Sequence, residues 1–161
     1  MYGTEKYGST YVMERGLFMK IRTPMPELTG ETYIFNRMKE KQEGKKVTLI
    51  YFWSASCQQC EQSVAKLKEM QAIFQKQLAI YTIHMPRTKQ DHQLNEVENK
   101  IKQLDIPFPV YVDNEFQLTN SFDNRIVPAF YIFDENQQLR FYKAGMITTR
   151  FLQQKIQRLI Y

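Results

Sequence analysis

The segment Val47–Trp53 is an apolar run of seven residues, and the chain's two cysteines follow it closely, in Trp53-Ser54-Ala55-Ser56-Cys57-Gln58-Gln59-Cys60. Residues 61–77 come next and place Val64, Leu67, Met70, Ile73 and Phe74 on one face at helical spacing. The run has the length of a buried strand, and the stretch after it has the period of an amphipathic helix. The cysteines therefore stand at a strand-to-helix junction. A thiol at a helix start meets unpaired backbone N–H groups and the positive end of the helix dipole, which both favour the thiolate. Two thiols one turn apart can also close a small disulfide ring. That pairing equips a chain for thiol–disulfide exchange.

Other functions are narrowed by composition. A length of 161 residues predicts one domain, able to bury roughly 70% of its unfolded surface. An apolar content of 43% argues against disorder, and no apolar run approaches the ~18 residues of a membrane span. The net charge of +5 comes from basic residues spread along the chain. One small group, Lys39, Lys41, Lys45 and Lys46, reads as a solvated loop, and with no recognition motif nucleic acid is set aside. Two cysteines are too few for a disulfide framework. Only His84 and His92 could complete a zinc site, and their spacing does not match the short His–His spacing of zinc fingers. No metal or cofactor is expected beyond the redox-active pair. Residues 1–18, rich in Tyr and Gly, lack both periodicity and the apolar core of a signal peptide. They read as a weakly ordered extension, with Met19 as a plausible alternative start, ahead of a single domain over 19–161. The expected protein is cytoplasmic and monomeric, and in that compartment a CxxC pair is catalytic rather than structural.

Along the rest of the chain, Pro24, Pro26, Gly30 and the 28–32 turn predict a small N-terminal hairpin. Residues 78–84 read as a second core strand, joined in parallel to the first by the intervening helix. Pro86 ends it. A helix is predicted over 89–104 on Leu94, Val97, Ile101 and Leu104, then a short strand over 110–113 and a short helix over 115–122. Residues 129–133 and 139–143, separated by a polar turn, read as a hairpin. A closing helix over 148–161 presents Phe151, Leu152, Ile156, Leu159 and Ile160, with the Lys155 stem at the margin.

This order of elements, with CxxC after the first core strand, resembles the thioredoxin fold. Three separated features carry the resemblance: Phe52-Trp53 ahead of Cys57, the Cys57-Gln58-Gln59-Cys60 motif, and Val127-Pro128-Ala129 before a strand. Gly145 fits as well. The fold class implied is α/β, a mixed central sheet flanked by helices, with an N-terminal hairpin and a central insertion at 86–109. Those two additions resemble the TlpA/ResA-like branch of the superfamily. Met25-Pro26-Glu27-Leu28-Thr29-Gly30-Glu31 and His84-Met85-Pro86-Arg87 are similar to a soluble member of that branch. The departures are Ser56 where thioredoxins carry Trp, Gln58-Gln59 in place of Gly-Pro, Tyr51 at a buried-Asp position, and Ser63 where ResA-type proteins have Glu.

The resemblance implies that Cys57 attacks, that Cys60 resolves, and that Pro128 is a cis-proline facing them. The Val127 backbone would then pair with an extended substrate chain. Trp53 is a core residue beside the site that could also touch substrate. With both expected acids missing, Glu61 and His84 are the candidates to relay the Cys60 proton. The expected activity is reduction of protein disulfides, renewed by an unidentified thiol reductant or reductase. Two rivals stand beside it. A Cu(I)-binding module could use the soft CxxC thiolates. A peroxiredoxin-like peroxide reductase would need Pro and Thr at fixed spacing before the cysteine, where this chain has Trp53-Ser54-Ala55-Ser56.

Overall fold

A computed structural model describes residues 19–38 and 45–161. The expected extension at 1–18 and two of the grouped lysines, Lys39 and Lys41, lie outside the described residues; Lys46 pairs with Glu135 at 3.0 Å. One six-stranded mixed sheet runs through the molecule. Its strands are β1 (Tyr33–Phe35), β2 (Val47–Trp53), β3 (Leu78–His84), β4 (Val110–Val112), β5 (Ala129–Phe133) and β6 (Leu139–Ala144). Their order across the sheet is β1-β4-β3-β2-β5-β6. The helices are α1 (Gln58–Phe74), α2 (Leu94–Leu104), α3 (Gln117–Ser121) and α4 (Thr149–Ile160).

Every residue of β2 is buried, as expected of a central strand covered on both faces. It pairs in parallel with β3 from Val47↔Leu78 to Trp53↔His84. On its other side it pairs antiparallel with β5, where Phe52 faces Ala129. These two registers fix the geometry of the edge where β2 ends. Trp53 lies beside His84, and the residue before Ala129, Pro128, arrives at the same level. Successive side chains of β2 alternate between faces. Tyr51 and Trp53 share one face, while Phe52 points to the other and packs against Phe122 and Tyr131 at 5.4 and 5.5 Å between ring centroids.

Two expectations are corrected. No local N-terminal hairpin forms among the described residues. β1 instead pairs antiparallel with β4, and Pro24 bridges Gln138. The turn residues at 28–32 redirect the chain toward distant partners. Gly30, at φ +86°, also passes so close to Gln117 that a Cβ there would overlap its side chain. The helix expected over 89–104 is split as well. A 3₁₀ turn spans Gln90–His92, Gln93 is extended, and only then does α2 begin. Thr88 and Asp91 close that turn on themselves. The Asp91 N–H donates to Thr88 Oγ1 at 3.2 Å and the Thr88 N–H to Asp91 Oδ2 at 3.3 Å, a reciprocal cap at the start of the turn, and the extended Gln93 backbone separates the turn from α2. In the terminal helix Leu152 and Ile156 are buried, whereas Phe151 sits at the rim against Phe141. Lys155 lies 5.0 Å from both of those rings. No helix among the described residues is long and apolar enough to cross a membrane.

Candidate active site

Cys57 is the N-cap of α1, with extended backbone at φ −94° and ψ 108°, and its Sγ accepts the Cys60 N–H at 3.2 Å. The two cysteines are joined as a disulfide with their Cα atoms 5.4 Å apart. Cys57 is 4% exposed and Cys60 1%. Cys57 therefore sits nearer solvent, and its sulfur occupies the point toward which the first turn of the helix aims its N–H groups.

The loop that brings Cys57 to this point is stitched to β3 and to the segment after it. Trp53 O accepts the Met85 N–H at 2.8 Å, which extends the β2–β3 ladder by one rung. The Ser54 hydroxyl donates to Met85 O. The Ala55 N–H donates to His84 Nε2 at 2.9 Å, and the Cys57 N–H closes a turn onto Ser54 O at 3.1 Å. The Ser56 hydroxyl donates to Asp91 Oδ2 at 2.7 Å. Each residue from Trp53 to Cys57 is thus held by at least one hydrogen bond, so the loop has little freedom to carry Cys57 out of register.

His84 is fully buried, and burial pushes its pKa down to about 4, against an opposing pull from Asp91. It is neutral at neutral pH. Because Nε2 accepts from Ala55, the hydrogen-bond network puts the proton on Nδ1, which finds no partner among the described residues. Asp91, also buried, keeps its charge. Burial works against it, but the Arg87 N–H, the Ser56 hydroxyl, His84 and the Thr88 N–H together hold its pKa below the usual carboxylate range.

Behind Cys60 stand the two residues that replace the expected acids. The Tyr51 hydroxyl donates to Cys60 O at 3.0 Å. Burial raises its pKa, and the neighbouring Ser63 hydroxyl acts in the opposite direction without meeting hydrogen-bond geometry. Tyr51 therefore anchors the first turn of α1 as a neutral donor. Glu61, next to Cys60, pairs with Lys100 of α2 at 2.9 Å.

The opposite wall is the loop before β5. The Val127–Pro128 peptide is cis. Val127 is 8% exposed, while Ile126 beside it is 43% exposed. Asn124 braces this loop: its side-chain amide donates to Ile126 O at 3.0 Å and to Met85 Sδ at 3.6 Å, and its Oδ1 accepts from Tyr131 at 3.2 Å. Met85 thereby ties the cysteine loop and the Pro128 loop together. Pro128 O also accepts the Gly145 N–H at 2.7 Å.

Of the residues expected at the site, Cys57, Cys60, His84, Val127 and Pro128 gather at this sheet edge, with Glu61 in the first turn. Trp53 is withdrawn as a substrate contact. It is fully buried, and its Nε1–H is committed to Thr82 Oγ1 at 3.2 Å. Met85, Asp91 and Asn124 were not anticipated. Only Asp91 left a trace in the sequence, as the Thr88-Lys89-Gln90-Asp91 capping pattern. Among the described residues no three His, Cys, Asp or Glu side chains are grouped to hold a metal.

Residues 21–142 match the AhpC/TSA family. The chain belongs to that family. Within the AhpC/TSA family it is 38% identical to the thiol-disulfide oxidoreductase YkuV of Bacillus subtilis over 144 residues, which is 88% of this chain and 97% of that one. It is 25% identical to the thiol-disulfide oxidoreductase ResA of Geobacillus thermodenitrificans, over 70% of this chain and 62% of that one. The solution structure of a thioredoxin-like protein in its oxidised form superposes with a TM-score of 0.78 at 37% identity, over 88% of this chain and 97% of that one. StoA of Bacillus subtilis, at 18% identity and a TM-score of 0.60 over 70% of this chain and 83% of its own, shares the fold. This AhpC/TSA member is a thioredoxin-fold thiol–disulfide oxidoreductase.

Proposed function

We infer that this oxidoreductase reduces protein disulfides, with Cys57 attacking and Cys60 resolving. The observation that carries the division of labour is the N-cap: the Cys57 sulfur takes the Cys60 N–H and sits closer to solvent. The Cys57 thiolate attacks one sulfur of a substrate disulfide. That S–S bond breaks, a mixed disulfide forms, and the other substrate sulfur leaves as thiolate. Cys60, once deprotonated, attacks Cys57 Sγ. The mixed disulfide breaks, the second substrate thiolate is released, and the Cys57–Cys60 disulfide remains. An external thiol or reductase then returns two electrons to the pair.

The substrate chain is proposed to lie along Val127, whose backbone would add it as a strand, with the exposed Ile126 side chain beside it. The Cys60 proton is proposed to leave through water or Glu61. His84 is the weaker relay, since its basic nitrogen already accepts from Ala55 and burial disfavours its charged form. A cytoplasmic setting, where thiols are kept reduced, suits a chain whose only cysteines are this pair. A monomer suffices for every step. Cu(I) binding and peroxide reduction draw no specific observation in their favour.

Single-cysteine variants test the division of labour. Cys57→Ser should abolish insulin disulfide reduction. Cys60→Ser should attack once and accumulate as a mixed disulfide that is visible by mass and released by dithiothreitol. Normal turnover by Cys60→Ser without added thiol would overturn the two-cysteine mechanism.

A further inference from the structure

The His84-Met85-Pro86-Arg87 stretch and the carboxylate beyond it are not used in the exchange steps above. Asp91 is buried, and its Oδ2 receives three donors: the Ser56 hydroxyl at 2.7 Å, the Arg87 N–H at 3.0 Å and the Thr88 N–H at 3.3 Å. The Arg87 guanidinium lies outside, exposed, with Nη2 donating to Ser56 Oγ at 3.4 Å. One carboxylate thus holds both the backbone of Arg87 and the residue to which the Arg87 side chain reaches. That residue immediately precedes Cys57. An exposed arginine side chain would ordinarily sample many rotamers, and ordering it carries an entropic cost. Here its root is pinned by the Asp91 bond to its own N–H, and its tip meets a hydroxyl pinned by the same oxygen.

We propose that Asp91 is a positioning residue that holds the Arg87 guanidinium one residue from the nucleophile, so that a fixed positive charge stabilises the Cys57 thiolate. This rests on Cys57 being the attacking thiol. The other titratable and charged groups around the pair are His84 of β3, Glu61 of α1 with its partner Lys100 of α2, and Tyr51 of β2. His84 is neutral, the Glu61 charge is paired, and Tyr51 stays protonated. Asp91 itself is negative and opposes the thiolate. The cation it places is therefore what distinguishes positioning from a simple charge effect. Removing the Asp91 charge alone should favour the thiolate, whereas releasing Arg87 should disfavour it.

The test is a double-mutant cycle read by iodoacetamide alkylation of the reduced full-length protein against pH, with the modified cysteine mapped by mass spectrometry. Arg87→Gln should raise the Cys57 midpoint by about half a pH unit, the size expected of an exposed and screened cation, and the shift should shrink as salt is raised. In an Asp91→Ala or Ser56→Ala background the same Arg87→Gln change should move the midpoint by less than about a third of that amount. Asp91→Asn keeps an oxygen acceptor and should restore the full Arg87 effect. If Asp91→Ala does not fold, Ser56→Ala carries the comparison, because it removes only one hydroxyl. An unchanged midpoint in Arg87→Gln, or an equal shift in every background, overturns the proposal. Faster alkylation of Cys60 than of Cys57 would instead overturn the nucleophile assignment, a separate outcome of the same map.

Discussion

The loop after β3 and the loop after β4 leave the same edge of the sheet, and each buries an aspartate, but the two carboxylates have different reach. Asp113, after β4, accepts the Leu118 N–H at 3.0 Å, the Thr119 N–H at 2.7 Å and the Thr119 hydroxyl at 2.6 Å. All its partners come from the next few residues, so it builds the start of α3 and nothing else. Asp91, after β3, takes two partners from its own turn and a third, Ser56, from the cysteine loop 35 residues away. A local network sets stability. A network that spans the fold sets where a reactive atom is held. His84 stands between the two loops: its carbonyl accepts the Asp113 N–H at 3.0 Å, while its ring accepts the Ala55 N–H at 2.9 Å.

The comparison is most exposed at Asp113. Asp113→Ala strands the two N–H groups and the hydroxyl it satisfies in the core, and each buried unpaired group costs about 1–3 kcal/mol. Urea unfolding should show a loss of about 4 kcal/mol, with the alkylation midpoint of Cys57 unmoved in the folded protein. A midpoint shift as large as that of the Arg87 variant would erase the distinction between the two loops.

His84→Gln gives the next largest effect and sharpens the link between them. The folded pKa of His84, about 4, lies below its usual 6.5. Between those values the unfolded chain binds a proton that the folded protein does not. Stability therefore falls as pH drops through 6.5 and levels off below about 4, a loss of up to roughly 3 kcal/mol. Gln can still accept from Ala55 but does not titrate, so unfolding curves from pH 4 to 7 should lose that share of the slope. An identical slope in wild type and variant would assign the acid sensitivity to other groups.

Thr88→Ala should have the smallest effect. It removes only the hydroxyl that receives the Asp91 N–H, and a loss of under about 1 kcal/mol is expected, with the Arg87 effect on Cys57 retained. If that effect vanished, the turn cap rather than the Asp91–Ser56 bond would be what positions the guanidinium.

The features legible in the sequence are those whose cause is local. The apolar run of β2, the alternation in β3, the polar turn between β5 and β6 and the helical period after Cys60 each depend on neighbours within a few residues, and each predicted element formed. Cys57 and Cys60 are legible from their place at a strand-to-helix junction and Pro128 only through the family resemblance, and the β2–β3 and β2–β5 registers bring these segments to one edge. The misses share the opposite cause. β1 was assigned a hairpin partner nearby, but its hydrogen bonds go to β4. Asp91 sat in a stretch read as continuous helix, and no local pattern announces a bond to Ser56. Ile73, Leu94 and Phe151 fit the helical stripes by spacing yet remain exposed, because spacing assigns a residue to a helix face and does not say how far the neighbouring elements cover that face. The sequence places Trp53 in the core beside the site with substrate contact left open, and the packed structure closes that option by enclosing the indole.

The order of strands across the sheet has a consequence for how the protein is made. The strand that leads into the cysteines, β2, has one neighbour, β3, reached after a single helix, and another, β5, that follows much later in the sequence. Closing the second loop costs more chain entropy than closing the first, and pairing across such sequence distances slows folding. A chain leaving the ribosome from its N-terminus presents both thiols before the strand that completes their surroundings exists. The C-terminal hairpin is thus synthesised after both cysteines, and a truncation that spares the pair would still leave it without the Val127–Pro128 loop proposed to receive the substrate.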